Sequence, residues 1–310
     1  MGEKRPDSPD FHLFETNSGN HLFLANGSRL YSVPPDLVEA LRAGHLPTEE
    51  ILASCGLAAP PYIEDAPVPG PPLRAISLAI AEACNLGCVY CYAQQGSFGR
   101  KAQMMERESA LGAIDLLFQS ANRGDRVQIT FLGGEPLANR TLLRESTEYA
   151  VRLAESTGIA VGFAITTNGT LVLPEDCEFL ERHGFAVTIS LDGSGGIHDR
   201  LRPFADGSGS YNRIIARICP LLERQSCMQV SARVTVTPAN LALQETLDAL
   251  IGMGFHSVGF SPMLSSPNHS QEMTPATLND MLCAMIQCGE AFESHLYRNE
   301  RYPFFNLMTA

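Results

Sequence analysis

The chain of 310 residues carries a formal net charge of −12, and 45% of its residues are hydrophobic. The acidic balance argues against a nucleic-acid partner, which requires a basic face. The apolar runs are shorter than the roughly 18 residues that a membrane span needs. The N-terminal sequence lacks the apolar stretch of a secretory signal, so we expect a cytoplasmic location.

The first part of the chain, residues 1–58, predicts a small α+β domain. Short strands separated by the turn sequences NSGN and NGS precede a helix that begins near Pro35 and ends at Gly44. A second helix is predicted to begin at Thr48, whose hydroxyl can cap its first turn. The proline-rich stretch at 59–72 then predicts a linker.

Residues 73–270 alternate short apolar strands with helical segments, a pattern typical of βα units around a parallel sheet. The predicted strands are 74–80, 126–132, 160–167, 186–191, 229–237 and 256–262. The predicted helices are 105–121, 140–157, 174–183, 211–225, 240–253 and 274–297, the last within a C-terminal helical segment at 271–310. Six repeats indicate an α/β fold with a partial (β/α)6 TIM-like barrel, in which the chemistry takes place at the carboxyl ends of the strands.

Three of the nine cysteines, Cys84, Cys88 and Cys91, directly follow the first strand of the predicted barrel. Without a secretion signal, clustered cysteines indicate metal binding or catalysis before disulfides. A structural zinc site needs four protein ligands, and no fourth cysteine or histidine lies near this run. A thioredoxin-like CVYC pair would leave Cys84 without a role. An iron–sulfur cluster held by three thiolates would leave one iron free for another ligand. Three cysteines packed together by chance are the remaining alternative.

The sequence CNLGCVYC at 84–91 resembles the CxxxCxxC motif of the radical S-adenosylmethionine (radical SAM) enzymes, in which an aromatic residue such as Tyr90 often precedes the third cysteine. The resemblance implies one 4Fe–4S cluster on the three cysteines, with the amino and carboxylate groups of SAM on the fourth iron. It further implies reductive cleavage of SAM to methionine and a 5′-deoxyadenosyl radical, which abstracts a substrate hydrogen atom.

Two further motifs follow the second and third predicted strands. LGGEP at 132–136 resembles the family's GGE segment, which implies that Gly133, Gly134 and Glu135 hold the SAM amino group. The two glycines would let the backbone approach a ligand closely. TTNGT at 166–170 places Thr167 and Asn168 at the same end of the sheet, where they are candidate SAM contacts, although Gly169 also allows a plain turn.

The fourth predicted strand ends in ISLDG, which resembles the family's S-[IL]-D-G segment and implies that Ser190 and Asp192 contribute to the SAM ribose and carboxylate site. IHDRLRP follows at 197–203, and Arg202 is the candidate ligand of the SAM carboxylate because guanidinium matches carboxylate geometry. His198 is expected to be a structural histidine. Arg233, on the fifth strand, is a weaker candidate for a position inside the barrel.

These motifs together are similar to the peptide- and protein-modifying branch of the family, which includes the anaerobic sulfatase-maturating enzymes. Members usually continue into a cysteine-rich SPASM or twitch domain with auxiliary clusters, and this sequence ends about where such a domain would begin. The spacing of Cys283 and Cys288 does not replace it, and we expect both to be packing residues.

The resemblance implies a radical SAM oxidoreductase that matures a peptide or protein by hydrogen abstraction from one of its side chains. It implies a low-potential electron donor of the flavodoxin or ferredoxin type, and it identifies no catalytic acid or base. The N-terminal domain resembles a leader-peptide recognition domain, which binds by strand addition, or else is a plain cap. A radical SAM enzyme that acts on a small molecule, and a protein that binds SAM or a leader without catalysis, are the alternative functions.

Overall fold

The computed structural model describes residues 11–24, 29–44, 48–57, 70, 72–97 and 99–308. The chain divides into two compact units, residues 1–71 and 72–310. Most of the predicted linker at 59–72, and the predicted NGS turn, lie outside the described residues. Within the part of the chain that the structure describes, no helix is long and apolar enough to cross a membrane.

The first unit is a three-stranded antiparallel sheet followed by two helices. The strands pair in the order β1–β2–β3, and the elements are β1 Phe11–Thr16, β2 Gly19–Leu24, β3 Arg29–Ser32, α1 Pro35–Ala43 and α2 Thr48–Ser54. Leu22 from β2, Leu37 from α1 and Ile51 from α2 are buried together in a small core. The helix α1 begins with a proline at its first position, where the missing N–H is not needed, and it ends at Gly44 as the sequence predicts.

The second unit is built on a six-stranded sheet in which all neighbouring strands are parallel. The strands stand in chain order, so that the first and last lie at opposite edges of an open sheet. They are β4 Ala75–Ala81, β5 Arg126–Gly133, β6 Ala160–Thr167, β7 Ala186–Ser190, β8 Gln229–Val236 and β9 Ser257–Pro262. This is the partial α/β barrel that the alternating pattern predicts.

Helices connect the parallel strands. They are α3 Arg107–Gln119, α4 Arg140–Thr157, α5 Pro174–Arg182, α6 Gly195–Leu201, α7 Tyr211–Leu222, α8 Leu243–Gly252, α9 Pro275–Tyr297 and α10 Phe305–Met308. Short 3₁₀ helices lie at Gln94–Gly96, Pro136–Asn139 and His269–Gln271. The six predicted helices agree with observed helices to within a few residues, whereas α6 and α10 are too short to produce a hydrophobic period in the sequence.

The two faces of the sheet differ in chemistry. On one face, side chains such as Val127, Ile129 and Phe131 are buried in the core with the surrounding helices. The other face carries smaller or polar side chains that are partly exposed, including Thr130 and Thr188. The interior of a closed eightfold barrel is filled by bulky branched residues, so this small-residue face is suited to a ligand rather than to a packed core.

One expectation about the C-terminal helix α9 is wrong. Cys288 is fully buried and packs in the core, as expected, but Cys283 is exposed. The two positions are five residues apart, which places them on different faces of a helix with 3.6 residues per turn. The interpretation as a packing residue therefore holds for Cys288 and not for Cys283.

Candidate functional site

The segment 84–91, here called the cysteine loop, follows the carboxyl end of β4 and is held by backbone hydrogen bonds to a second loop. The N–H of Gly87 donates to the carbonyl of Pro203 at 2.8 Å, and that of Val89 donates to the carbonyl of Leu201 at 3.0 Å. This second loop begins where α6 ends and follows the H-D-x-x-R pattern of the sequence, whose residues 198–201 lie in α6 and whose arginine, Arg202, comes directly after it. The two motifs are therefore parts of one structure, in which the later motif fixes the backbone of the earlier one.

The thiols of Cys84, Cys88 and Cys91 are unpaired and half-buried. The backbone N–H of Leu86 points to Sγ of Cys84 at 3.4 Å, and that of Gln95 points to Sγ of Cys91 at 3.4 Å. Burial raises the pKa of Cys88 to about 11, and the neighbouring Cys84 and Cys91 thiols contribute to the same shift. The thiols therefore lie near one another, and two of them, those of Cys84 and Cys91, receive backbone N–H donors from nearby residues.

This donor set fits a 4Fe–4S cluster better than a single metal ion. Among the residues that the structure describes, no group of three or more His, Cys, Asp and Glu side chains is arranged around one ion. In a cubane cluster each thiolate binds its own iron, so the sulfur atoms surround the cluster instead of meeting at one point. N–H groups directed at the sulfur ligands are a further feature of such sites.

Asp192 is fully buried beside Arg202 and Tyr90. The Tyr90 hydroxyl donates to Oδ2 of Asp192 and accepts from Nη1 of Arg202 at 2.7 Å, and Nη1 lies 3.7 Å from the same Oδ2. The backbone N–H of Thr235 donates to Oδ1 at 2.8 Å. Burial raises the pKa of Asp192, and the contact with Arg202 opposes that shift. Both oxygens of the Asp192 carboxylate therefore have partners within the protein.

Arg202 has a buried N–H that is available to a ligand. Its Nε is buried and has no hydrogen-bond partner among the described residues, although its side chain is only 11% exposed. The guanidinium lies close enough to Cys88 to oppose the burial-driven rise in the pKa of that thiol. An unused N–H of a buried cation beside the thiols suits an anionic group bound there, such as a carboxylate.

His198 supports the loop that carries Asp192 and Arg202. The backbone N–H of Asp192 donates to its Nδ1 at 3.2 Å, so the ring proton lies on Nε2 and is donated to Oγ of Ser210 at 3.1 Å. Ser210 in turn donates to the carbonyl of Arg202 at 2.5 Å. Burial lowers the pKa of His198 to about 3, with a further contribution from the Arg202 charge. The neutral imidazole is a structural histidine, as expected from the sequence.

The glycines of the GGE segment lie against the backbone that follows β4. The N–H of Gly134 donates to the carbonyl of Ala81 at 2.8 Å, and that of Glu135 donates to the carbonyl of Ala83 at 2.8 Å. A Cβ atom on Gly134 would lie 2.6 Å from the Ala83 oxygen. Gly133 has a positive φ of 151°, and a Cβ atom there would lie even closer to the oxygen of Ala81. Close packing of backbone against backbone, and not only access for a ligand, therefore requires both glycines.

The buried carboxylate of Glu135 joins the ends of β5 and β6. It accepts hydrogen bonds from the N–H of Leu137 at 3.0 Å, from Oγ1 of Thr167 at 2.7 Å and from the N–H of Asn168 at 2.8 Å. Burial raises the pKa of Glu135 above its ordinary value, while these donors oppose the shift. A carboxylate offers about four acceptor positions, so one remains for a further donor.

Asn168 connects this region to the cysteine loop. Its Nδ2 donates to Oδ1 of Asn85 at 3.1 Å and points to Sγ of Cys84 at 3.5 Å. Its Oδ1 accepts from the N–H of Thr170 at 2.9 Å and from the Thr170 hydroxyl at 2.6 Å. Asn85, which completes this network, lies inside the cysteine motif and was not singled out from the sequence because the motif leaves its position variable.

Ser190 and Arg233 lie on the small-residue face of the sheet. They are partners in the β7–β8 register, with Ser190 half-buried and Arg233 exposed. The Arg233 side chain has no ion pair among the described residues. The structure brings the other predicted side chains into two hydrogen-bonded groups. Tyr90, Asp192 and Arg202 form one, and Glu135, Thr167 and Asn168 form the other, which reaches Sγ of Cys84. Ser190 and Arg233 belong to neither group among the contacts of the described residues.

Comparisons with known proteins agree with this arrangement. Residues 78–218 match the radical SAM superfamily. An uncharacterized protein from Methanocaldococcus jannaschii is 29% identical over 75% of this chain and 73% of its own length. A cysteine-type anaerobic sulfatase-maturating enzyme from Clostridium novyi is 28% identical over 67% of this chain and 56% of its own length. The chain spans about half the length of the sulfatase-maturating relatives it matches, 56% and 47% in two of them.

Solved structures of the same class share the fold. The structure of anSMEcpe with bound AdoMet matches with a TM-score of 0.64 at 18% identity, covering 76% of this chain and 64% of that one. The same protein with AdoMet and the Cp18Cys peptide matches with a TM-score of 0.62 at 19% identity, covering 76% and 63%. At these identities the likeness concerns the fold, and it confirms the predicted partial barrel.

The packing of the GGE segment can be tested with Gly134→Ala. We expect the free energy of unfolding to fall by about 1–3 kcal/mol, because the added methyl group meets fixed backbone atoms. Gly112→Ala in α3 is the control, since its Cβ would meet no atom within 4 Å and should leave stability unchanged or raise it by up to about 1 kcal/mol. Urea denaturation measures both, and equal stabilities would contradict the packing described.

The neutral state of His198 predicts an acid-dependent loss of stability. Its pKa is 6.5 in the unfolded state and about 3 in the fold, so its stabilising contribution is complete above pH 6.5 and is lost as the pH falls toward 3. Between pH 7 and pH 5 the parent should lose about 2 kcal/mol relative to His198→Gln, which has no titrating ring. The facing charged groups, Arg202 and Asp199, are unchanged in the variant. Parallel pH profiles of the two proteins in urea denaturation would show that the histidine is not held neutral.

Proposed function

We propose that this chain, which matches the radical SAM superfamily over residues 78–218 and is similar to the anaerobic sulfatase-maturating enzymes, abstracts a hydrogen atom from a side chain of a peptide or protein. The cofactors of this class are a 4Fe–4S cluster and SAM. The observation that carries the proposal is the group of three half-buried thiols beside the unused Nε of Arg202.

The roles of the protein's own residues follow from their contacts. Cys84, Cys88 and Cys91 would hold the cluster, which leaves one iron without a protein ligand. When bound, the cluster and SAM supply a one-electron reductive cleavage that gives methionine and a 5′-deoxyadenosyl radical, the species that takes hydrogen from the substrate. Arg202 would donate its Nε–H to the SAM carboxylate. The free acceptor position of Glu135 would receive a proton of the SAM amino group.

The remaining named residues would orient this site. Tyr90 and Asp192 fix the direction of the Arg202 guanidinium, and Thr167 and Asn168 fix the Glu135 carboxylate. Ser190 would contact SAM from the small-residue face of the sheet. The two glycines allow the backbone of β5 to lie against the end of β4, so that the cysteine loop and the Glu135 carboxylate share one rim of the sheet.

The proposal of a peptide or protein substrate is supported by what similar proteins act on or bind. The sulfatase-maturating enzymes are named for acting on proteins, and anSMEcpe has been solved with a bound peptide. A peptide or protein is therefore the proposed substrate here. The same proposal includes a cytoplasmic location, because exposed free thiols such as Cys219 and Cys227 suit a reducing compartment. It also includes a flavodoxin- or ferredoxin-type electron donor for the cluster.

The proposal is tested by anaerobic reconstitution of the protein with iron and sulfide, followed by dithionite and SAM. We expect 5′-deoxyadenosine and methionine to form in equal amounts, as liquid chromatography with mass spectrometry can show. Cys88→Ala should reduce the yield of 5′-deoxyadenosine at least 100-fold, about the loss expected when a ligand essential for cofactor binding is removed.

Cys283→Ala is the matched control, because it removes an exposed thiol of α9 far in sequence from the cysteine loop. It should retain the parent's iron content and product yield. Formation of 5′-deoxyadenosine by Cys88→Ala at the parent's rate, or its absence from a parent protein loaded with four irons, would refute the proposed function.

A further inference from the structure

The side-chain amide of Asn168 has contacts that the proposed function does not use. The backbone N–H of Asn168 binds the Glu135 carboxylate, whereas its side chain contacts Cys84 and Asn85 of the cysteine loop. Asn168 is only 4% exposed, so the amide is shielded from water. A buried amide thus lies against one of the three thiols that would hold the cluster.

A backbone donor fixes the orientation of the Asn168 amide. The N–H of Thr170 lies 2.9 Å from Oδ1 of Asn168, in the turn that an asparagine side chain commonly forms with the residue two positions later. Gly169, with a φ of 78°, allows the chain to turn between them. A backbone N–H is only a donor, so the amide oxygen faces Thr170 and the amide nitrogen faces the cysteine loop. A flipped amide would place two donors together and its oxygen against Oδ1 of Asn85.

The NH₂ group of Asn168 has two protons and two acceptors. Nδ2 lies 3.1 Å from Oδ1 of Asn85 and 3.5 Å from Sγ of Cys84, a distance that suits the larger sulfur atom. Asn85 is held in turn, since its Nδ2 donates to the Thr170 hydroxyl at 2.8 Å. That hydroxyl donates to Oδ1 of Asn168 at 2.6 Å. The three polar side chains form a closed ring, from which the second Asn168 N–H is directed at the thiol.

The three thiols differ in the N–H donors that they receive. Cys84 receives two, from the Leu86 backbone and the Asn168 side chain. Among the described residues, Cys91 receives one backbone N–H and Cys88 receives none. Hydrogen bonds to the sulfur ligands help to set the reduction potential of an iron–sulfur cluster. Reduction adds negative charge, and an N–H directed at a sulfur ligand stabilises that charge, the more so in a buried site.

We propose that the Asn168 amide raises the reduction potential of the cluster by donating an N–H to the Cys84 thiolate, which makes the cluster reducible by a weaker electron donor. This inference rests on the proposed function for the cluster itself. The cluster gains one electron from the external donor, which is oxidised by one electron, and the Asn168 proton stays on its nitrogen. Because Asn168 acts through Cys84, the potential is the readout that tests it.

The experiment is a redox titration of the reconstituted protein without SAM, followed by the electron paramagnetic resonance signal of the reduced cluster. In Asn168→Ala we expect the equilibrium constant for one-electron reduction to fall about tenfold, which corresponds to a midpoint potential lower by about 59 mV. The backbone N–H at this position, and with it the contact to Glu135, remains in the variant. Asn168→Asp, which replaces the N–H donor by a charged oxygen, should lower the potential further.

Thr170→Val is the matched control. It removes the hydroxyl that donates to Oδ1 of Asn168 but keeps the backbone N–H that fixes the amide. Both Thr170→Val and Asn168→Ala should lower the thermal unfolding midpoint, because each leaves a buried polar group without its partner. Only the Asn168 variants should lower the potential. Equal potentials of the parent and Asn168→Ala, or an equal shift in Thr170→Val, would overturn the proposal in favour of a structural role.

A measurement on the parent protein covers the case in which the Asn168 variants lose the cluster. Pulsed electron paramagnetic resonance is recorded on the reduced protein, labelled with nitrogen-15 only in its asparagine side chains. We expect a coupling between the cluster spin and nitrogen-15, because an N–H···S hydrogen bond transfers spin density to the nitrogen. Absence of this coupling would overturn the proposal.

The outcomes separate this inference from the proposed function. A parent protein that binds four irons but forms no 5′-deoxyadenosine would refute hydrogen abstraction, and its potentials would still test Asn168. Unchanged potentials in the Asn168 variants would refute only the role of Asn168. A parent protein that binds no iron would refute both.

Discussion

The buried contact among Asp192, Arg202 and Tyr90 is the constraint on which the rest of the site depends. It joins the cysteine loop, which contains Tyr90, to the end of β7 and to the residue after α6. Inside a protein an unpaired charge is costly, and removal of one member of a buried pair typically destabilises by about 3–5 kcal/mol. The Asp192 carboxylate therefore allows Arg202 to remain beside the thiols with an unused N–H.

Most polar groups of the site hold loops together rather than being left free for chemistry. Glu135 binds the ends of β5 and β6, and Asn168 binds the cysteine loop to β6. A protein whose cofactors perform the difficult chemistry needs rigidity and exclusion of water more than it needs acids and bases. The sequence motifs identify no catalytic acid or base, which agrees with a protein that positions its cofactors while the cofactors perform the chemistry.

The sequence predicts the sheet well because period-two strands and short βα connections are local features. It also predicts which residues meet at the edge of the sheet where the strands end, since the carboxyl ends of parallel strands lie together. The close backbone packing that requires glycine at positions 133 and 134 could not be predicted, because the neighbours, Ala81 and Ala83, are about 50 residues away in the sequence.

Three thiolates would leave one iron of a 4Fe–4S cluster free to bind SAM. Electron paramagnetic resonance of the reconstituted, dithionite-reduced protein, recorded with and without SAM, tests whether that iron is free. We predict the signal of a reduced 4Fe–4S cluster whose g values shift when SAM is added. A cluster signal that SAM leaves unchanged would show that no iron of the cluster is free for SAM.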